Sequence, residues 1–477
     1  MDRRRFLTRG AVAVAGLGAG GSAGGAEGAR ASGDVVREPA RDVPVAEAVD
    51  VVVCGAGPAG IAAAVGAARA GAKVRLIEAH GQLGGIWTTG MLSWVLDADN
   101  KGGVMREITA RIDERARFLG DVRWKGKGGI PYDVEQMKLV LEDVCRGAGV
   151  RIRLHTRVVA AVRDGARLTH CVCESKSGRE AFAAKAFIDC TGDGDLAARA
   201  GCGFDLGRPA EGPGGEGPER AGEMQPMTLM CLVTGIDREA TAAFHDRVGQ
   251  PWGAPKDALF AEFKRAGVEP SYGKPTIFEI RPDLYAWMIN HEYGYSGIDA
   301  GALTDATLHA REEVHHNIDA LRLLGGIWQN VRIVATAAQI GVREGRRIHG
   351  RYRVTVEDAI AARRHEDAVC RVAFGIDVHS TSKAHSTGIE GGKVKSLTKP
   401  YDVPLRALIA KDADGLLMAG RCISGDFLAH SSYRVTGNSV AMGEAAGACA
   451  AVAAARGCLP HEVPWKDVAA GLAAPGA

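Results

Sequence analysis

The sequence predicts an α/β fold: a central parallel sheet with a β-meander, interrupted along the chain and completed near its C-terminus, beside a second, mixed α+β domain. Two observations carry this expectation. An apolar strand at residues 51–54 turns through three glycines into an Ala-rich helical run, and a second apolar strand at 74–77 ends on Glu78. Far downstream, residues 415–455 read as a short strand, a polar loop and an Ala/Gly-rich helix starting near Asn438, the pieces that finish a sheet begun elsewhere.

The first unit is a complete βαβ dinucleotide fingerprint. Gly55 permits the tight turn leaving the strand, Gly57 lets the backbone approach a pyrophosphate, and Gly60 lets helix and strand pack closely. The phosphates then lie at a helix N-terminus, where free N–H groups and the helix dipole favour negative charge. Glu78, at the end of the second strand, can accept hydrogen bonds from a ribose diol and repels a 2′-phosphate. FAD and NAD therefore remain, and NADP is disfavoured. A bare GxGxxG also suits an ordinary Gly-rich loop, but the flanking strands, helix and carboxylate argue against that.

At 477 residues, 46% hydrophobic and 24% charged, the chain has the composition of a soluble globular protein of two or three domains. Five arginines against Asp2 and Glu27 give residues 1–31 a local +3; taking this from the net +2 leaves −1, so the charge balance does not point to nucleic acid. Arg3-Arg4-Arg5-Phe6-Leu7 resembles the twin-arginine export motif, and a weakly apolar run precedes Ala29-Arg30-Ala31, an A-x-A cleavage pattern. Residues 1–31 are read as a signal peptide handled by the twin-arginine machinery, with a periplasmic or secreted product; a disordered basic tail is the plainer alternative. Residues 32–48, polar with two prolines, are read as a linker. The mature chain holds no run of about twenty apolar residues, so stable membrane insertion is not expected. The eleven cysteines include no C-x-x-C, and the close pair Cys171 and Cys173 has no matching cluster. They read as small core residues, and no metal site is expected from them or from the scattered carboxylates.

Along the chain, Gly84-Gly85 opens a segment followed by helical patterns at 104–118 and 134–147. Strand-like runs follow at 150–154, 157–163, 168–174 and 181–186, and then an apolar strand, 187–189, enters the turn Thr191-Gly192-Asp193-Gly194-Asp195. Residues 207–222, dense in Gly, Pro and Glu, read as a mobile loop or domain boundary. Residues 225–395 hold mixed strands and long helices, among them a charged, His-containing run at 302–324, without a second strand-GxGxxG-helix unit. This places a dinucleotide-binding domain at 49–206 and 400–460 and a substrate or cap domain at 207–399.

Together these residues resemble the FAD-dependent oxidoreductases of the glutathione-reductase-type flavin fold, with a discontinuous Rossmann-type FAD-binding domain. More narrowly they resemble a bacterial family that pairs a Gly-Gly doublet with a TGDGD turn and a C-terminal AGR segment. Six blocks in that family's order carry the resemblance: 55–78, 83–85, 175–195, 340–358, 375–380 and 416–424. The resemblance implies FAD as cofactor, held by Gly55, Gly57, Pro58, Ala59, Gly60 and Glu78, and by Gly84, Gly85 and Val158. It adds Thr191, Gly192 and Asp193 from the turn, and Gly420, Arg421, Asn438, Gly443, Ala446 and Gly447 from the returning strand and helix. The positive end of that helix can face the flavin where charge accumulates on reduction. GDGDLA also fits a second, NAD-binding turn, but no strand ending in an acidic residue follows it. Two departures, Gly425-Asp426-Phe427 where the family has a Thr-His pair, and Gly437-Asn438, are expected near the flavin and point to a different substrate.

Flavin performs the redox step, so protein groups position the substrate and manage one proton. Removing hydrogen from a carbon bearing a hydroxyl calls for a base, commonly His. His379, His385 and His430 lie in segments expected to return to the flavin; His379 and His430 are the first candidates, though a surface or core role would also explain either. Arg434 resembles the Arg after the family's AGR loop and could fix a carboxylate or polyol. Arg343, Arg346 and Arg347 are candidates for substrate or flavin contacts, unless they form a salt-bridged helix face. His315-His316 reads as solvated. The expected activity is oxidation of a small organic substrate, with an alcohol or sugar carbon favoured and dioxygen, quinone or a carrier as acceptor. A flavin-dependent reductase of an activated double bond and a non-catalytic electron-transfer flavoprotein are the alternatives.

Overall fold

The computed structural model describes residue 36 and residues 38–121, 129–245, 253–390 and 397–472. The expected export leader at 1–31 lies outside them. Val43–Ala477 forms one compact unit.

Its central sheet has strand Val45–Cys54 in the middle, parallel to Val74–Ile77, which is in turn parallel to Arg151–Arg153. The run Val51, Val52, Val53, Cys54 is wholly buried, as expected for a parallel strand covered on both faces. The strand starts inside the expected linker 32–48: Val45 already pairs with Ala181. Its polar look there has a cause in pairing, since Glu47 forms ion pairs with Arg75 and Arg151 of the neighbouring strands.

On the other flank runs Gly178–Asp189, a single strand where two were expected. It changes partner along its length. Residues 178–183 pair antiparallel with Arg167–Ser175, which pairs with Arg157–Asp164 to complete the meander. Phe187, Ile188 and Asp189 instead pair parallel with Leu416, Leu417 and Met418 of the C-terminal return. After Asp189 the chain forms only the short helix Asp195–Arg199, and the next strand, Phe204–Asp205, pairs antiparallel with Arg347–Ile348. A second NAD-type βαβ unit is therefore not formed at that turn.

Helices Gly103–Leu119 and Val134–Gly147 fall where the periodicity put them. Helix Thr436–Arg456 begins two residues before the expected start and packs along helix Pro58–Arg69. Small residues set that distance: a Cβ on Gly443 would lie 2.1 Å from the Ala59 carbonyl oxygen, and one on Gly447 2.1 Å from that of Ala63. The expected polar loop before this helix holds a further helix, Phe427–Tyr433. Asp426 caps it, accepting from the Ala429 N–H at 2.7 Å, and also accepts from the Val356 N–H at 2.7 Å.

A second sheet is antiparallel, in the order Thr276–Arg281, Leu284–Met288, Cys231–Thr234, Arg332–Thr336. Its residues alternate between faces: Cys231, Val233, Tyr285 and Trp287 share a core with Phe263 and Ile318 of helices Ala254–Arg265 and Ala300–Leu324. Leu232, Leu284 and Ala286 join the opposite core, into which Met288 and Phe278 pack. His315 and His316 are exposed on the long helix.

The Gly/Pro-rich stretch 207–222 is pinned rather than left as an open connection. Buried Arg208 pairs with Glu216 at 2.8 Å and Glu390 at 2.6 Å, and buried Arg220 pairs with Glu223 at 2.8 Å and donates to Thr381 Oγ1 at 2.6 Å. All eleven cysteines are free, and all but Cys458 are buried. Among the described residues no helix is long and apolar enough to cross a membrane.

The helix seam gives a first prediction. Gly443→Ala puts a methyl against a backbone carbonyl that cannot yield cheaply, and is expected to lower stability by roughly 1–3 kcal/mol in urea denaturation.

Candidate active site

The fingerprint glycines do three different things. Gly55 has φ +92°, and a Cβ there would sit 2.4 Å from the Cys190 carbonyl oxygen, where the two central strands end side by side. Gly60 faces Gly55 at similar closeness. At Gly57 a Cβ would meet no atom within 4 Å, because this position opens onto a cavity of about 1160 Å³. That exceeds the roughly 300–1,000 Å³ of pockets for drug-sized ligands.

One wall of the cavity is Gly55, Gly57, Pro58, Ala59 and Gly85. Glu78 and Val158 line it further along; the Glu78 carboxylate accepts from the Ala56 N–H at 2.7 Å and the His80 N–H at 2.9 Å. Thr191, Gly192 and Asp193 continue the wall, held by buried Asp189, which accepts from the Thr191 N–H at 3.0 Å and the Ala197 N–H at 2.8 Å. Gly420 and Arg421 close it. Arg421 Nη2 pairs with Asp193 at 2.6 Å and Nε donates to the Gly192 carbonyl at 3.1 Å, so the two distant turns are bonded to each other. Burial pushes the Asp193 carboxyl up, against the pull of Arg421.

Tyr272, Arg343, Asp377, His379 and Arg434 line the same cavity. Strand Val378–His379 and a bond from its His379 N–H to Gln225 Oε1 at 3.0 Å position the imidazole. His379 Nδ1 lies 3.1 Å from His291 Nε2, and its Nε2 lies 3.3 Å from Asp377 Oδ2. His291 Nδ1 is 3.1 Å from the Tyr293 hydroxyl, and the Tyr272 ring lies over the His291 ring at 4.1 Å. Burial, and next the Arg343 cation, pull His379 down to about 4; the same two causes hold His291 well below the ordinary histidine value. Both rings are therefore neutral at pH 7.

Residues 50–472 match the model of the family described as FAD dependent oxidoreductase. The chain belongs to that family. Over 92 residues it is 34% identical to an opine oxidase component from Rhizobium meliloti, a match covering 19% of this chain and 14% of that protein. Among solved structures it resembles a geranylgeranyl bacteriochlorophyll reductase-like protein of Thermoplasma acidophilum, with 13% identity, TM-score 0.46, and 86% and 80% of the two chains covered. It also resembles the p-nitrophenol 4-monooxygenase of Pseudomonas putida DLL-E4, with 11% identity, TM-score 0.44, and 89% and 84% covered.

FAD is thus the cofactor of this oxidoreductase, and the cavity suits it: an open glycine at a helix N-terminus, a carboxylate at the second strand end, and space beyond both. Several residues that the resemblance assigns to the flavin lie off the cavity wall, Gly60 in the close packing expected of it. Gly60, Gly84, Asn438, Gly443, Ala446 and Gly447 do not line the cavity. Gly84 donates its N–H to the Ala56 carbonyl at 2.8 Å, Asn438 Oδ1 accepts from Cys370 Sγ at 3.3 Å, and Gly443 and Gly447 set the helix seam where Ala446 is buried. The departures have structural reasons too: Asp426 is a helix cap, and a Cβ on Gly437 would lie 2.3 Å from the Asp97 carbonyl oxygen.

The histidine candidates separate. His430 is buried in helix Phe427–Tyr433, edge-on to Tyr433, and is not on the cavity wall; His385 is exposed and also off it. Sequence reading missed His291, which no motif marks. The Arg343 to Arg347 stretch is extended rather than helical: Arg346 pairs with Asp195 at 3.1 Å and Arg347 with Glu344 at 2.6 Å. Away from the wall, Glu292, His309 and Glu313 bring ligand-type atoms within 4.8 Å of one another, a grouping the residue spacing did not suggest. Burial lifts the Glu292 carboxyl to about 7 against the pull of His309.

Gly57 and Gly443 give contrasting outcomes. Because Gly57 faces open space, Gly57→Ala should leave the apoprotein's stability within about 0.5 kcal/mol. It should nevertheless weaken FAD binding in a fluorescence titration, since the methyl enters the space the pyrophosphate needs.

Proposed function

We propose that this FAD dependent oxidoreductase is exported by the twin-arginine route and oxidises a small organic substrate at a carbon bearing a hydroxyl, with dioxygen, a quinone or an electron carrier as final acceptor. The observation that supports it is a single cavity lined both by the dinucleotide turn and by a neutral histidine. The short match to a protein named as an oxidase favours the oxidative direction.

Bound FAD supplies the two-electron acceptor for the hydride leaving the substrate carbon. The hydroxyl proton goes to His379. The Tyr293 hydroxyl lies 3.1 Å from His291 Nδ1 and 3.3 Å from the Ser271 carbonyl oxygen, and so holds the His291 ring in place. Protonated His379 carries an N–H on both ring nitrogens, Nδ1–H facing His291 Nε2 at 3.1 Å and Nε2–H facing Asp377 Oδ2 at 3.3 Å. The Asp377 carboxylate beside it stabilises the charge that His379 gains. Arg434 holds that aspartate, with Nη2 donating to its backbone carbonyl at 2.9 Å and lying 3.6 Å from its carboxylate. His291 and Arg434 are therefore positioning residues.

Purified protein should be yellow, and its flavin band should bleach under anaerobic addition of a competent alcohol. His379→Ala is expected to slow that bleaching by roughly 10²–10⁴-fold. The base form of His379 is present above its depressed pKa, so kcat/KM should fall as pH drops through about 4, well below the ordinary value of 6.5. Unchanged bleaching in His379→Ala would sink the assignment.

A further inference from the structure

The cations at the cavity are not equally matched. Arg421, Arg346 and Arg434 face Asp193, Asp195 and Asp377 at 2.6, 3.1 and 3.6 Å. Arg343 lines the cavity with no carboxylate within 4.0 Å among the described residues. Its guanidinium is fixed by neutral acceptors alone. Nη1 donates to the Pro226 carbonyl at 2.7 Å and to Thr228 Oγ1 at 2.8 Å, and Nη2 to Met288 Sδ at 3.6 Å. No described acceptor takes the Nε proton, so Nε–H and the second Nη2 proton remain for a bidentate pair with a carboxylate.

Partial burial on the cavity wall, with the like charge of Arg434, brings Arg343 down to about 10. It is still charged at neutral pH. A fixed cation with unused donors on a cavity wall is the arrangement that recognises an anion entering the cavity.

We propose that Arg343 binds a carboxylate of the substrate, which makes the substrate a carboxylate-bearing alcohol, a hydroxy acid. This rests on the reading of the cavity beside His379 as the substrate site. An anion at Arg343 also offsets the positive charge that lowers His379, so substrate binding strengthens the base that it needs.

The test uses the FAD-loaded protein, with FAD content and melting temperature measured first. Lactate, malate and glycolate are titrated against lactamide, malamide and glycolamide, followed by calorimetry and by the shift of the flavin band. The acids are expected to bind roughly ten- to a hundredfold tighter than the amides. Arg343→Gln should abolish that preference while FAD content and melting temperature stay put, and Arg343→Lys should keep part of it. The proposal is overturned if acids and amides bind alike, if none of the acids binds, or if Arg343→Gln keeps the preference. Loss of FAD from Arg343→Gln also overturns it, by making Arg343 a cofactor residue. An intact acid preference beside unchanged bleaching in His379→Ala would remove the proton role and leave this proposal standing.

Discussion

Three parallel pairs, Phe187 with Leu416, Ile188 with Leu417 and Asp189 with Met418, hold this enzyme together as a functional object. The cofactor wall is built from stretches of chain that share no local connection, and a sheet is the device that aligns their ends. Because Gly178–Asp189 pairs with Val45–Cys54 on one side and with the C-terminal return on the other, Gly55, Thr191 and Gly420 emerge along one edge. The Arg421–Asp193 pair then ties the middle turn to the C-terminal one, in a setting where burial makes a lone aspartate costly. Removing the arginine would leave that carboxylate without compensation at the cofactor wall.

Legibility followed range. The fingerprint, the meander and the two early helices could be read because each is specified by neighbours in sequence: glycines at a turn, alternation along a strand, an apolar stripe on a helix. The partner switch in Gly178–Asp189 could not, since nothing in twelve apolar and polar residues says which half meets which strand. The same limit explains the histidines. His430 follows the AGR segment closely, but its helix turns the ring into the core, a matter of a fraction of a turn that proximity in sequence cannot fix. His291 lies far from every motif and reaches the site only because the second sheet delivers it beside His379. The resemblance assigns Gly443 and Gly447 to the cofactor, but what approaches them is the Ala59 to Ala63 backbone, since small residues signal proximity without naming the neighbour.

Charge in the cavity follows a pattern that composition conceals. Arginines in the extended stretch after Ile340 look interchangeable in sequence, but two are neutralised by nearby carboxylates and Arg343 is bound only by a carbonyl, a hydroxyl and a thioether. The distinction is functional in kind. A paired arginine is part of the scaffold, while one held by dipoles keeps its field directed into the cavity.

The stretch 207–222 shows how the second part of the chain supports the first. Its glycines and prolines suggested a connection of little structural consequence, but its two buried arginines reach Glu390 and Thr381, which flank the turn after His379. Strand Val378–His379 pairs with Ile389–Glu390 over only two residues, too little to orient the His379 ring by itself. Arg208 fixes the partner strand through Glu390, Arg220 fixes Thr381, and Gln225, just beyond the loop, receives the His379 N–H. A loop rich in glycine can thus act as a mould, because glycines let it bend closely around the site while charged side chains lock the bend in place.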